Sequence, residues 1–147
     1  GSILAKKIIS SQRIEATKQI SKKLKVPLGR EVYEYCLLRK IDDEPCILET
    51  TYIDCGRYPD FDQYYNDKNS MGRVLKKIYN VNQVAGEERI SVTYANEHES
   101  GLLEVQTGSP LFFTSGVVED DNGDIVMYYK QLLRGDKFKF VSKIENE

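Results

Sequence analysis

A nine-residue pattern occurs twice in this chain, and it restricts the possible folds more than any other feature of the sequence. Residues 24–32 read LKVPLGREV and residues 103–111 read LEVQTGSPL, so both copies share L-x-V-x-x-G-x-x-[VL]. In each copy the pattern ends a segment with helical spacing and begins an apolar, strand-like segment. A repeated helix, glycine turn and hairpin predicts two similar halves related by a pseudo-twofold axis.

Each half carries a predicted β-hairpin whose strands are rich in β-branched and aromatic residues. The four strands are residues 32–41, 46–55, 111–119 and 125–133. Turn residues separate them at 42–45 and at 120–124, where Asn-Gly is a strong hairpin signal. Two antiparallel hairpins can join into one sheet covered by helices on one face. The expected fold class is therefore α+β, mainly an antiparallel sheet with helices packed on it.

Weaker signals complete the expected secondary structure. Helical spacing predicts a helix over residues 15–25, which Val26-Pro27 ends, and a second helix that Asn69-Ser70 caps and that ends near Asn80. Asn96 and Glu99 resemble the capping box of a short third helix. Strands are also expected around residues 7–9, over residues 89–95, and through Phe138, Phe140 and Val141.

Composition indicates one cytosolic domain over residues 3–147. The net charge of −2 offers no general attraction to nucleic acid or to an anionic membrane, so we expect no specific DNA binding by this segment alone. No apolar run approaches the length of about 20 residues that a membrane span needs. The three cysteines lack C-x-x-C spacing and suit reduced, packed thiols.

The start of the chain predicts that it was cut from a longer protein. Gly1-Ser2 is interpreted as the remnant of a cleaved tag, and no initiator Met follows. Residues 6–30 contain eight basic residues against one acid, Glu15. Either this excess belongs to a solvated helix face, or this end of the domain lies closest to DNA in the intact protein.

The sequence contains no recognisable catalytic or metal-binding motif. The single histidine, His98, lies at a predicted helix start, where an exposed polar residue is ordinary. Without a second histidine or a spaced cysteine pair, a zinc or iron centre has no ligand set. Nucleophile elbows, phosphate-binding loops and dinucleotide-binding glycine clusters are also missing. We therefore predict no catalytic residues, no metal and no cofactor.

Charged residues within a predicted strand require a partner or a ligand where the strand faces a core, and Arg39 and Glu49 are two such residues. Arg39 is on the first hairpin strand and Glu49 on its return strand, so the two can face each other. One interpretation is a cross-strand salt bridge worth about 0.2–1 kcal/mol. The other is a ligand pocket in which arginine binds an anionic or hydroxyl-rich group and glutamate accepts from hydroxyls. The residues by themselves leave both open.

Taken in order, the motifs closely resemble the UTRA domain of HutC-type regulators in the GntR superfamily. The first half contributes the repeated pattern at 24–32 followed by Arg39, Glu44-Pro45 and Glu49. The second half contributes the repeat at 103–111, the turn at 120–123 and R-G-D-K-F-K-F at 134–140. The resemblance covers nearly the whole chain.

The resemblance implies a chorismate-lyase-like fold that binds a small effector, forms a homodimer, and follows a winged helix-turn-helix DNA-binding domain absent from this chain. Such domains sense metabolites, including phosphorylated sugars, and control DNA binding by the upstream domain, often in a repressor. By position, Arg39 matches the second Arg of the family's R-x-R, Glu49 its pocket Glu, and Ser70 the Ser at the start of the central helix. These three are the expected effector-binding residues.

Four positions depart from the sugar-phosphate sensors of the family. They have Arg, Tyr, Glu and Tyr where this chain has Leu37, Gly72, Met127 and Leu133. These departures predict a less polar pocket and leave a phosphosugar ligand open. They also keep a ligand-free dimerisation module as an alternative function. A chorismate-lyase-like enzyme is a further alternative, but the same replacements remove possible catalytic groups.

Overall fold

The computed structural model describes residues 4–138, which form one six-stranded antiparallel sheet with helices on both faces. The elements in chain order are β1 (Leu4–Glu15), α1 (Lys18–Leu24), β2 (Glu31–Ile41), β3 (Glu44–Asp54), α2 (Phe61–Tyr64), α3 (Met71–Tyr79), β4 (Val84–Tyr94), α4 (Glu97–Leu103), β5 (Pro110–Glu119) and β6 (Ile125–Arg134). A short 3-10 helix, Gly135–Lys137, follows β6. Among residues 4–138, no helix combines the length and apolar character needed to cross a bilayer.

The strand order shows the two predicted halves directly. The sheet runs β1-β2-β3-β6-β5-β4, so β1-α1-β2-β3 and β4-α4-β5-β6 are equivalent units. The last strands of the two units, β3 and β6, pair at the centre of the sheet. The predicted α+β class and its pseudo-twofold repeat are confirmed.

The shared glycine of the repeat has a conformational reason. Lys25 and Glu104 end α1 and α4 in the left-handed region, each with a φ of 56°. Four residues later, Gly29 and Gly108 have φ values of 82° and 88°, which residues with a Cβ rarely adopt. The glycine therefore lets the chain turn from each helix into the next strand.

Helices cover both faces of the sheet, so the prediction of one covered face is wrong. Alternate residues of a strand point to opposite faces. On β2, Val32 and Leu38 pack in the clusters that contain the buried side chains of α1 and α4. Tyr35, on the other face, packs with Phe61 of α2 and Leu75 of α3. The segment between the two halves thus folds back onto the face that α1 and α4 leave uncovered.

The two edge strands are longer than predicted. Their β-bulges interrupt the alternation of inward-facing and outward-facing residues from which a strand is predicted. β1 spans 12 residues and has an irregularity between Ile8 and Ser10. β4 begins at Val84 rather than near residue 89, and its register shifts between Ala85 and Glu88. A bulge inserts an extra residue and breaks the period of two on which strand prediction depends.

Helix ends are mostly as predicted. Ser70 caps α3, which ends at Tyr79, and Asn96 with Glu99 forms the capping box of α4. α1 begins at Lys18 rather than at residue 15, because the Thr17 hydroxyl caps it by accepting from the Ile20 N–H at 3.3 Å. The four-residue helix α2 was not predicted.

The prediction of a closing strand through Phe138, Phe140 and Val141 is wrong at Phe138. Phe138 has αR geometry after the 3-10 helix. Phe140 and Val141 lie outside the described residues.

Candidate functional site

A cavity of about 640 Å³ lies between the sheet and the start of α3, on the face that α2 and α3 cover. Its wall contains residues from α3 and from every strand except β1. This volume suits a small-molecule ligand. A second cavity of about 350 Å³, on the outer side of α3, is lined mainly by exposed side chains such as Tyr64 and Arg73. The larger cavity is the candidate site because it contains a buried polar network.

Glu49 is the centre of that network. It is only 7% exposed, and its carboxylate accepts hydrogen bonds from Gln131 Nε2 at 2.7 Å and from Thr51 Oγ1 at 3.1 Å. Gln131 in turn accepts from the Thr114 hydroxyl at 2.9 Å. A buried carboxylate is tolerated when such donors satisfy it. The network therefore holds Glu49 in a defined orientation at the cavity wall.

Arg39 lines the same cavity and contacts Glu49 weakly. Its Nη2 donates to Glu49 Oε2 at 3.4 Å, and 28% of its side chain is exposed. In the strand register Leu37 lies opposite Glu49 and Arg39 lies opposite Ile47, so the charged pair is diagonal rather than directly opposed. The hydrogen bond to Glu49 is the only one that Arg39 makes in the part of the chain that the structure describes. Both interpretations of Arg39 thus have structural support, and most of its N–H groups remain available to a ligand.

Ser70 brings the start of α3 to the cavity. Its hydroxyl oxygen accepts from the Arg73 N–H at 3.1 Å and caps the helix, while Met71 and Gly72 line the cavity beside it. The first N–H groups of a helix lack partners within the helix and favour a nearby anion. Ser70 can still donate its hydroxyl proton. This end of the cavity can therefore bind an anionic or hydroxylated group.

Lys6 of β1 holds the loop that precedes Ser70. Its ammonium group donates to Tyr65 Oη at 3.1 Å and to the Asn66 carbonyl at 2.8 Å. The Ile8 N–H donates to Asp67 Oδ1 at 2.6 Å, beside the bulge in β1. Burial lowers the pKa of Lys6, and the Arg39 guanidinium, opposite it in the strand register, lowers that pKa further. Lys6 and Arg39 thus place two cations near the Glu49 carboxylate at this end of the cavity.

The opposite end of the cavity has acidic character. Glu88 of β4 lines it, and the Tyr129 hydroxyl of β6 donates to the Glu88 carboxylate. Gly116 of β5 lies between them in the sheet. A Cβ at Gly116 would come within 2.6 Å of the Tyr129 hydroxyl oxygen, so only glycine allows the tyrosine to reach across β5.

All three predicted site residues, Arg39, Glu49 and Ser70, line this one cavity. Their role in effector binding stays a prediction. Among the four departures from the sugar-phosphate sensors, Gly72 and Met127 are in the cavity wall, whereas Leu37 and Leu133 are fully buried in the core. Those two leucines therefore do not line the cavity.

Several polar wall residues were not identified from the sequence. They are Thr51, Gln83, Glu88, Tyr129 and Gln131. Alternation alone places Thr51 on the face of Glu49, and places Tyr129 and Gln131 together. One face of β6 lies beside Glu49 of β3, and strand register decides which face that is. No local signal in the sequence reveals this register. Glu88 was missed because the predicted strand begins at Arg89, one residue after it, whereas β4 begins at Val84.

His98 is exposed on α4, the helix that covers the opposite face of the sheet. Within residues 4–138, no three His, Cys, Asp or Glu side chains are grouped closely enough to hold a metal ion.

Comparison with known proteins identifies related sequences over most of the chain. Residues 1–139 match the family model described as the UTRA domain. The "Probable fructoselysine utilization operon transcriptional repressor" of Escherichia coli O157:H7 is 29% identical over 83% of this chain and 50% of that protein. The "Uncharacterized HTH-type transcriptional regulator YurK" of Bacillus subtilis is 30% identical over 71% of this chain and 43% of that protein. The chain thus spans about half the length of the curated relatives it matches.

Solved structures share the fold. The C-terminal domain of YurK from Bacillus subtilis matches with a TM-score of 0.84 and 26% identity, covering 88% of this chain and 90% of that one. The effector domain of PhnF from Mycobacterium smegmatis matches with a TM-score of 0.87 and 19% identity, covering 92% and 83%. The named curated relatives are transcriptional regulators rather than enzymes.

Proposed function

The chain belongs to the UTRA domain family, and on that premise we propose that it binds a small metabolite and thereby controls DNA binding by another part of a longer transcriptional regulator. The observation that carries the proposal is the cavity of about 640 Å³ with a hydrogen-bonded Glu49 in its wall and Arg39 beside it. Arg39 binds the most negative or most hydroxylated part of the effector. Glu49 accepts hydrogen bonds from effector hydroxyls, and Ser70 donates to the effector from the start of α3.

The proposed effector is a sugar, a sugar phosphate or a sugar conjugate. One curated relative is named as a repressor of fructoselysine utilization. Hydroxyl groups of a sugar match the acceptor and donor groups around Glu49 and Ser70. Fructoselysine and hexose phosphates are therefore the first compounds to test.

Arg39→Ala tests the proposal with thermal shift and calorimetric titration. Wild-type protein at about 100 times the dissociation constant of its ligand should gain about 2.7 kcal/mol of stability. Arg39→Ala should weaken ligand binding by about thirtyfold, since a charged contact to a buried ligand is worth about 2 kcal/mol. Without ligand, the variant should lose about 1 kcal/mol or less, because the ion pair is long and partly exposed.

Arg13→Ala is the matched control. Arg13 makes exposed ion pairs with Glu31 and Asp62 and does not line the cavity, so its removal should leave ligand affinity unchanged. If Arg39→Ala instead lowers thermal stability by several degrees and leaves affinity within about a factor of two, Arg39 is a structural ion-pair partner. The proposed pocket would then be misplaced.

We also propose that the domain is a homodimer that pairs through β4. This edge strand exposes Ile90, Val92 and Tyr94 at alternate positions, with 57%, 60% and 68% of each residue accessible. An edge strand has unpaired backbone N–H and C=O groups, and together with an exposed apolar stripe it favours pairing with a second chain. Because a twofold dimer uses the same surface on both subunits, one stripe is sufficient.

Light scattering tests the dimer. We expect about twice the chain mass of 16.9 kDa at tens of micromolar for the wild type, and monomers for Val92→Lys. Ile9→Lys, on the opposite edge strand, is the control and should remain dimeric. A wild-type mass near 16.9 kDa would rule out the proposal.

The DNA-binding function is assigned to a separate domain of the regulator. The net charge of −2 supports this assignment, as does the match of this chain to only about half of each regulator. The domain is proposed to act without catalysis, since its named relatives are regulators. It is proposed to act in the cytoplasm, where the free thiols of Cys36, Cys46 and Cys55 remain reduced.

A further inference from the structure

The charges that line the cavity are unevenly balanced. Glu49 is paired with Arg39 and accepts hydrogen bonds from neutral groups on both sides. Glu88, the other carboxylate in the wall, accepts from the Tyr129 hydroxyl and makes no ion pair with any residue in the described range 4–138. One end of the cavity therefore has an ion pair and the other has a carboxylate without a cationic partner.

The local geometry fixes where this carboxylate lies. Thr51, Tyr129, Gly116 and Glu88 form one row across β3, β6, β5 and β4. The absence of a side chain at Gly116 lets the Tyr129 hydroxyl reach Glu88 over the intervening strand. Glu88 is exposed to solvent at the edge of the cavity, where a bound ligand would cover it.

We propose that Glu88, oriented by Tyr129, binds a protonated amine of the effector. This inference rests on the proposed function, and it adds the chemical class of the ligand. The effector has a hydroxylated or anionic end at Arg39 and a positively charged amine at the other end. A purely anionic ligand would place its negative charge beside Glu88 or leave that carboxylate without a cationic partner.

The strand order also indicates the length of the effector. β2 and β4 are separated by β3, β6 and β5. The strand register also offsets Arg39 and Glu88 by four residues along the strands. At about 4.8 Å between neighbouring strands and about 3.3 Å per residue, their backbones are about 23 Å apart. Both side chains line the cavity, so the gap between their charged groups is shorter than the separation of their backbones. An elongated conjugate of a sugar and an amine suits this gap better than a single sugar ring does.

The competing interpretation is that the Tyr129–Glu88 hydrogen bond only fastens the edge strand β4 to the sheet. A structural bond of this kind needs an acceptor at position 88 but no charge. Glu88→Gln keeps an acceptor oxygen for the Tyr129 hydroxyl and removes the negative charge. The variant therefore separates the two roles.

The test compares fructoselysine with Nα-acetylfructoselysine by calorimetric titration. Acetylation removes the positive charge of the α-amino group, at the end away from the sugar, and leaves the sugar and the secondary amine beside it unchanged. Wild-type protein should bind fructoselysine at least tenfold more tightly than the acetylated compound, which is the usual size of a charge-assisted contact. In Glu88→Gln the preference should fall to about twofold or less, through loss of affinity for fructoselysine.

Glu87→Gln is the matched control, because it removes the same charge from the same strand at a position outside the cavity wall. It should keep the wild-type preference. Tyr129→Phe should reduce the preference without abolishing sugar binding, as expected of a positioning residue.

Three results would overturn the inference. Equal binding of both compounds to the wild type, with loss of affinity in Arg39→Ala, contradicts the amine site and leaves the proposed function standing. An unchanged preference in Glu88→Gln contradicts the role of Glu88 alone. If neither compound binds the wild type, both the amine site and the proposed sugar-conjugate effector are wrong.

Discussion

Glu49 shows how a single residue can serve both folding and binding. Its side chain is almost fully buried, yet each carboxylate oxygen has a donor, Gln131 from the neighbouring strand β6 and Thr51 from the same strand. Burying a carboxylate in this way is costly unless those donors are present. The same donors hold the carboxylate at the cavity wall, so the group is oriented before any ligand arrives.

Glu49→Ala should therefore affect stability as well as binding. Removing the carboxylate leaves the Gln131 amide and the Thr51 hydroxyl without an acceptor, at a cost of about 1–3 kcal/mol in the free energy of unfolding. Urea denaturation measures this loss. Glu31→Ala removes an exposed carboxylate paired with Arg13 and should cost about 1 kcal/mol or less. Equal losses in the two variants would show that the network contributes nothing beyond a surface pair.

At the scale of elements, close approach between strands depends on one glycine. A Cβ at Gly116 would lie 2.6 Å from the Tyr129 hydroxyl oxygen and 2.7 Å from the Glu87 carbonyl oxygen. The tyrosine side chain could move aside, but the carbonyl belongs to the backbone of the paired strand β4. A side chain at position 116 would therefore disturb the pairing of β4 with β5.

Gly116→Ala should lower the free energy of unfolding by about 1–3 kcal/mol, the usual cost of overpacking. It should also remove the preference for an amine-bearing ligand, because Tyr129 can no longer reach Glu88. Gly101→Ala in α4 is the matched comparison, since a Cβ there meets no atom within 4 Å. It should raise stability by up to about 1 kcal/mol through higher helix propensity. An unchanged free energy of unfolding in Gly116→Ala would mean that β4 adjusts to the added methyl group without cost.

At the scale of the whole molecule, the core on the cavity side of the sheet is unusually rich in tyrosine. Burial raises the pKa of Tyr58 and of Tyr79 to about 12. Burial also raises the pKa of three further tyrosines in this core: Tyr33, Tyr35 and Tyr65. The folded protein thus keeps phenol protons that the unfolded chain releases above about pH 10.

The sign of the resulting pH dependence follows from proton counting. Above about pH 10 the unfolded state binds fewer of these phenol protons than the folded state, so the contribution of the five tyrosines to stability is constant below that pH and falls as the pH rises toward 12. The lowered pKa of Lys6 acts in the opposite direction, but it is one group against five. Urea midpoints at pH 9, 10 and 11, recorded with tyrosinate absorbance, measure the effect. Gradual ionisation of all tyrosines near pH 10 with native circular dichroism intact would contradict it.

The sequence by itself determined the features that depend on neighbouring residues. The repeated pattern predicted both halves because the turn at each glycine is local, and Ser70 and Asn96 identified helix starts because capping acts within three residues. Arg39 and Glu49 were found as charges within strands. The edge strands were partly missed, since their bulges remove the periodic signal.

Only the tertiary structure decided which side chains share the cavity. Glu49 and Gln131 are 82 positions apart in the sequence, and they meet because β3 pairs with β6 in one particular register. A shift of one residue would send Gln131 to the opposite face. Glu88 and Tyr129 likewise meet only across β5. Register depends on the packing of both sheet faces at once, and for that reason no stretch of the sequence contains the complete site.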